Sequence, residues 1–330
     1  MGDAGVSLAE GHDAIFYNPA GIADIKTLVN ELILASPEVE LSSNAKEIYR
    51  TADDGSDTLK IVKSIVNQPV HIAETNFTGT VFRRAALSIF ERVQADAFVG
   101  TNPERGVLEA DLRMVGRGGL VLTSARSFLG DALLVGVNTK VMHKANGEVT
   151  VDALSAESQF KNSNTKDLRS KYLRRGTGIG GDLGFLYKMA GDLKPRFGLM
   201  IHNVGGTNYK WPVPKTSKAP DPDKQTIDVG LSVAPGTKRS YSTLSVDLHD
   251  ATNTSESVIY KRLHLGARIS FENVFGLMAG LNQGYPTYGG FLDLKLVRVE
   301  GGVYSEELGE LPGDRKSRRV FGRVSVGWTR

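Results

Sequence analysis

The chain has 330 residues, 40 Lys+Arg against 37 Asp+Glu, 37 Gly, 12 Pro and no Cys. A net charge of +3 is too small to mark a nucleic-acid binder, and the absence of Cys excludes a disulfide scaffold, thiol catalysis and a cysteine zinc site. Glycine, about 11% of residues against roughly 7% in average usage, points to tight turns and crowded strands. No apolar run approaches the ~18 residues of a membrane-spanning helix, but a transmembrane β-barrel needs none, because its strands alternate.

Residues 1–24 form a segment rich in small residues that ends in a turn over Asn18-Pro19-Ala20-Gly21. Period-2 alternation begins soon after, and the spacing predicts strands over 28–41, 72–82, 85–99, 106–122, 131–146, 176–189, 194–208, 224–234, 239–250, 257–271, 274–284, 286–295, 297–306 and 317–329. In 263–271, Leu263, Leu265, Ala267, Ile269 and Phe271 share one face, and His264, Gly266, Arg268 and Ser270 share the other. Leu244, Val246 and Leu248 alternate in the same way with Ser245, Asp247 and His249. Residues 44–67 have helical spacing instead, with Leu59, Val62, Ile65 and Val66 on one face.

A soluble sandwich also alternates, and a large soluble all-β protein is the competing architecture. Three features favour a membrane barrel. Many strands reach the ~9–11 residues that cross a bilayer obliquely. Short connections, such as Arg83-Arg84, alternate with long polar ones at 43–71, 148–175, 208–223 and 306–316. Small and charged residues share one face while aliphatics hold the other. The expected fold is an all-β transmembrane antiparallel β-barrel of about 14 strands, an even number, as closure with both termini on one side requires.

The pieces Met1-Gly-Asp-Ala-Gly-Val, Asp13-Ala14 and Tyr17-Asn18-Pro19-Ala20-Gly21, in that order before a long alternating region, resemble the hatch of the FadL family of outer-membrane transporters and their PorV-like relatives. Gly178-Ile-Gly-Gly-Asp-Leu-Gly-Phe-Leu-Tyr and Gly198-Leu-Met-Ile-His-Asn-Val-Gly-Gly resemble strand pieces of the same superfamily. The resemblance implies a hatch over 1–26 plugging a barrel over 27–330, in the bacterial outer membrane. It implies transport of hydrophobic or amphipathic small molecules such as fatty acids. The PorV-like branch implies instead a scaffold that binds protein partners of an envelope or secretion complex. Membrane lipids are the expected surroundings and a lipid or fatty acid the expected ligand, with no nucleic acid and no cofactor. The chain shows no charged n-region followed by an apolar h-region, so export implies a signal peptide removed or omitted.

Candidate residues follow from these placements. The family's third and fourth outer loops form an apolar capture groove, and the matching loops here offer Phe160, Leu168, Lys171, Tyr172, Tyr209, Lys210, Trp211 and Val213. Apolar area beside cations suits an amphipathic anion, whereas the plainer reading is a rim or interfacial belt. Residues 157–175 carry six Lys/Arg against two acids, a run that could dock lipid phosphates or form a solvated face. Lys140, Asp182, Asp228, Asp247, His249, His264, Arg268, Asp293, Lys295, Arg319 and Arg323 are expected to face inward in paired networks. Glu91 shares the lipid-facing side with Leu87, Ile89 and Val93, which suggests a bulge or a lateral opening of the wall near 90–96. No metal is expected, because the six His show no His-x-x-x-His spacing. No nucleophile elbow or complete dinucleotide fingerprint appears, so no catalytic residues and no enzyme are expected.

Overall fold

A computed structural model describes residues 1–45, 50, 65–101, 106–152, 172–211, 218–235, 240–272 and 274–329. Among these residues, fifteen strand segments form one closed antiparallel sheet. They are β1 (Val29–Ala35), β2 (Glu38–Ser42), β3 (Val70–Phe82), β4 (Ala85–Thr101), β5 (Leu108–Phe128), β6 (Leu133–Asp152), β7 (Leu173–Lys188) and β8 (Arg196–His202). The remainder are β9 (Thr226–Val233), β10 (Ser240–Leu248), β11 (Leu263–Phe271), β12 (Phe275–Asn282), β13 (Tyr285–Asp293), β14 (Val297–Glu307) and β15 (Lys316–Thr329). Both β1 and β2 pair with β3 on one side and β15 on the other, so they are two halves of a single stave. The barrel therefore has 14 staves.

The burial pattern inverts that of a soluble protein. Leu244 and Val246 on β10 are 53% and 48% exposed, while Asp247 between them and its neighbour Leu248 is 0% exposed. Aliphatics face out and polar groups face in, as a wall in hydrocarbon requires. That inversion excludes the soluble sandwich. The two longest staves, β5 and β6 with 21 and 20 residues, exceed what a bilayer needs and extend toward the long-loop rim. The opposite rim carries tight connections such as Arg83-Arg84, where Arg84 takes a positive φ of 70°.

Three expectations need correction. The stave predicted over 257–271 begins only at Leu263, because Ile259–Arg262 forms a single helical turn, α2. Its basic residues fasten the rim: Lys261 Nζ donates to the Gly309 carbonyl (2.7 Å) and Arg262 Nη1 to the Asp250 carbonyl (2.9 Å). The stave predicted over 194–208 ends at His202, where Asn203, Gly205 and Gly206 all take positive φ and turn the chain. The helix predicted over 44–67 falls almost wholly outside the described residues.

The third correction concerns Glu91. β4 pairs without a register shift from Ala85 to Ala97 with β3 and from Ala85 to Thr101 with β5. The wall is therefore continuous at Glu91, and the side chain stands exposed on the outer face beside Leu87, Ile89 and Val93. The interruption lies two staves away, where the β1–β15 register shifts between Ile33 and Ala35 and Ser36-Pro37 parts β1 from β2. Proline lacks the N–H that a ladder uses, which suits it to this break. Outward hydroxyls support the joint: Thr78 Oγ1 donates to the Leu34 carbonyl (3.0 Å) and Thr80 Oγ1 to the Glu31 carbonyl (3.1 Å).

Candidate functional site in the lumen

Residues 1–25 touch staves from β1 round to β12, so in a closed barrel they lie inside. The segment holds a short helix, α1 (Asp13–Tyr17), and a 3-10 turn over Pro19–Asp24. Asn18, fully buried, caps the turn by accepting from Ala20 N (3.1 Å), and Pro19 follows at the first helical position. Asn18 Nδ2 donates to the Val6 carbonyl (2.8 Å) and to the Phe185 carbonyl on β7 (3.0 Å). Gly21 completes the turn without a positive φ. Its role is close approach, since a Cβ there would strike the Ala9 carbonyl oxygen.

The glycine excess has its main explanation on the inner wall. Gly136, Gly184, Gly198, Gly230, Gly266 and Gly280 lie on β6, β7, β8, β9, β11 and β12 and form a shallow track. Gly136 pairs with Gly184, Gly198 with Gly230 and Gly266 with Gly280. An added Cβ would run into Pro19 at Gly136, into Asn18 and Pro19 at Gly184, and into the Val6 backbone at Gly198. On β10, between Gly230 and Gly266, Asp247 Oδ2 accepts from Gly5 N (2.6 Å) and Val6 N (2.8 Å). Asn138 Nδ2 on β6 donates to the Ile15 carbonyl (2.8 Å) and to Asp182 Oδ2 (3.0 Å), and Lys140 Nζ bonds Asp182 Oδ1 (2.6 Å). Below these bonds Ile15 and Ile22 pack on Val81, Leu134 and Leu186.

The lumen wall across from the track carries charge. Arg92 grips Glu40 through Nη1 and Nη2 (2.7 and 3.0 Å), and Tyr304 Oη donates to the same carboxylate (2.6 Å). Arg323 bridges Glu38 and Glu300, and Arg319, 3% exposed, bonds Glu306 (2.7 Å) and lies 3.6 Å from Asp96. His202 pairs with Asp228 (3.0 Å), Arg298 lies 3.6 Å from Asp293, and Arg268 Nη2 donates to Tyr241 Oη (3.0 Å). Lys295 departs from the expected inward set, since it sits exposed in a turn with a φ of 69°. Within this polar lining one apolar feature stands out. Phe16 on α1 meets Phe77 and Phe90 edge-to-face (5.8 and 5.2 Å between centroids) and stays 39% exposed.

Of the loop residues singled out for a capture groove, Phe160, Leu168, Lys171 and Val213 lie outside the described residues, as does most of the basic run 157–175. The described four do not share one groove. Tyr209 is buried at 3% exposure against Gly176 on the inner side of β7, under the Lys144 ammonium, rather than displayed to solvent. Its hydroxyl donates to Asp223 Oδ2 (2.6 Å), and burial together with that acceptor raises its pKa. Burial also pushes the Asp223 carboxyl up, but hydrogen bonds from Lys144 and Tyr209 outweigh it and hold the carboxyl below its ordinary value. Tyr172 lies on the other side of the wall, in an outward groove of about 710 Å³ with Ile72, Leu112, Met114 and Val149. Lys210 and Trp211 are exposed at the rim, Trp211 by 57%.

A closed 14-stave barrel with an aliphatic exterior and a filled lumen is a transmembrane β-barrel of the outer-membrane type. Its fold is shared with solved hydrocarbon channels. Over its whole length the chain superposes on the toluene transporter TbuX of Ralstonia pickettii, with a TM-score of 0.55, 11% identity, and coverage of 100% of this chain and 96% of that one. The P. putida toluene transporter TodX gives 0.53 at 11% identity (100% and 97%), and the monoaromatic hydrocarbon channel CymD gives 0.51 at 11% (99% and 94%). No protein-family model and no curated protein matches the sequence.

Proposed function

We propose that the protein carries small hydrophobic molecules across the bacterial outer membrane without altering them, and that residues 1–25 are the hatch controlling passage. The observation that carries this reading is Phe16, a 39%-exposed ring on the hatch that rests edge-on against buried Phe77 and part-buried Phe90 of the wall inside a charged lumen. The exposed face of such a ring holds a solute by area and ring contact. The shared fold with structures described as toluene transporters supports it. At the long-loop rim, exposed Trp211 beside Lys210 suits first contact with an amphipathic anion such as a fatty acid.

The test is uptake into liposomes holding the purified protein, with toluene and oleate as probes. Phe16→Ala removes two edge contacts and is expected to lower uptake at low probe concentration about tenfold, equivalent to ~1.4 kcal/mol. Wild-type liposomes that load no faster than empty ones sink the transport reading.

A second reading, a scaffold for an envelope partner, draws on the outer wall. Glu74, Asn76, Thr78, Thr80 and Glu91 make a polar stripe on β3 and β4 facing outward, and neither acid has an ion pair among the described residues. A partner protein in the membrane would cover it. If the stripe instead faces lipid, Glu91→Leu raises the unfolding free energy in vesicles by about 1 kcal/mol. An unchanged or lower value would place Glu91 outside the hydrocarbon.

A further inference from the structure

The turn over residues 1–4 meets the wall through side chains that the hatch contacts above do not use. Ala4 N donates to the Met1 carbonyl (3.2 Å), and Gly2 and Asp3 take positive φ of 61° and 64°. Two successive left-handed residues define a type I′ turn, and Asp is among the few side chains that tolerate such a position. The turn aims the Asp3 carboxylate at His249, just after β10, and at His264 on β11. One ligand atom from each of the three lies within 4.8 Å of the others.

Each group is prepared for a ligand by what surrounds it. His264 Nδ1 lies 3.0 Å from the Gly2 carbonyl oxygen, which can only accept, so Nδ1 carries the proton and Nε2 keeps its lone pair. Nε2 of His249 is buried with no hydrogen-bond partner among the described residues, a costly state for a ring nitrogen. Its Nδ1 is 3.8 Å from Asp3 Oδ2, too far for a hydrogen bond. The other Asp3 oxygen, Oδ1, accepts from Tyr17 Oη (2.6 Å). The two imidazoles stack with centroids 4.1 Å apart at 25°, an arrangement open to neutral rings and opposed by two imidazolium charges.

We propose that Asp3, His249 and His264 bind one divalent first-row transition-metal ion of the zinc type, with water completing the coordination. Two imidazole nitrogens and one carboxylate suit Zn²⁺, Co²⁺ or Cu²⁺ better than Mg²⁺ or Ca²⁺, which prefer all-oxygen sites. Metal–ligand bonds of about 2.0–2.2 Å put neighbouring donor atoms roughly 3.4 Å apart, so small side-chain rotations close the set. The Gly2 carbonyl and the Tyr17 hydroxyl are the outer-shell groups that orient such ligands. The bound ion fastens the leading turn of the N-terminal segment to β11 and the end of β10. This site does not depend on the transport reading.

The test uses the full chain refolded in detergent, stripped with EDTA and titrated with Co²⁺ and then Zn²⁺. One equivalent of Co²⁺ giving visible d–d bands, displaced by one equivalent of Zn²⁺, is expected, together with slower amide exchange over residues 4–8. Asp3→Asn, His249→Ala and His264→Ala are each expected to abolish the bands, and Tyr17→Phe to weaken binding by about 10–100-fold. His143→Ala, at an exposed outer-wall histidine, should change nothing. Folding of each variant is checked by its barrel mobility on unheated gels. A wild type that gives no Co²⁺ spectrum, or folded Asp3→Asn and His249→Ala variants that titrate like wild type, overturns the proposal.

Discussion

Gly184→Val is expected to unseat the N-terminal segment while leaving the wall closed. The new side chain would occupy the space of the Asn18 carboxamide and the Pro19 ring, both buried and backed by hydrogen bonds to Val6 and Phe185. Overpacking of this kind costs about 1–3 kcal/mol, and each buried hydrogen bond lost adds roughly 1 kcal/mol. The segment has an escape that a wall stave lacks, since it is joined to the barrel only at β1. The variant should therefore show protease cleavage within residues 1–25 and ion conductance in planar bilayers, where wild type shows neither. Gly322→Val is the matched control, because an added Cβ there meets nothing. A Gly184→Val barrel that stays closed and protease-resistant would disprove the seating role of the track.

Arg319→Met is expected to cost about 3–5 kcal/mol of stability, read from urea unfolding in vesicles. Arg319 is almost completely enclosed, 2.7 Å from Glu306 and 3.6 Å from Asp96, so removing its charge leaves Glu306 without its cation, while Asp96 keeps His71 Nδ1 at 2.6 Å. The stacked Tyr304 ring, 5.9 Å from the guanidinium, supplies no replacement. Arg318→Met, on the exposed face one residue away, should fall within about 0.5 kcal/mol of wild type. Adding Glu306→Gln to Arg319→Met should recover part of the loss, because neutralising the orphaned acid removes the larger penalty. A cost below 1 kcal/mol would mean that water, not protein, solvates these acids.

The staves were legible because each residue's environment follows from its own parity. Along 263–271 every odd residue meets the exterior and every even one the lumen, and two neighbours suffice to read that. The same local rule failed where a distant partner decides. Residues 257–262 alternate acceptably, yet Lys261 and Arg262 find carbonyls on the rim and wind into a turn. Tyr209 looked like one more loop aromatic until Gly176 and Asp223 made a place for it beneath the mouth. Glu91 broke the pattern of its face correctly, but an exposed carboxylate is not a break in the ladder. Asp247 and His264 were placed inward by parity alone, whereas their partners Gly5, Val6 and Gly2 could not be, because contacts between a segment and the wall that encloses it have no period.

The glycine track also bears on assembly. The lumen exists as an enclosure only after β15 docks on β1 and β2, and residues 1–25 lead directly into β1. A segment that hydrogen-bonds to β6, β7 and β10 and nests against bare backbone on β8, β9, β11 and β12 finds its full set of partners only once the seam is shut. Closure of the seam and seating of the segment thus reinforce each other, because each completes the surface against which the other packs.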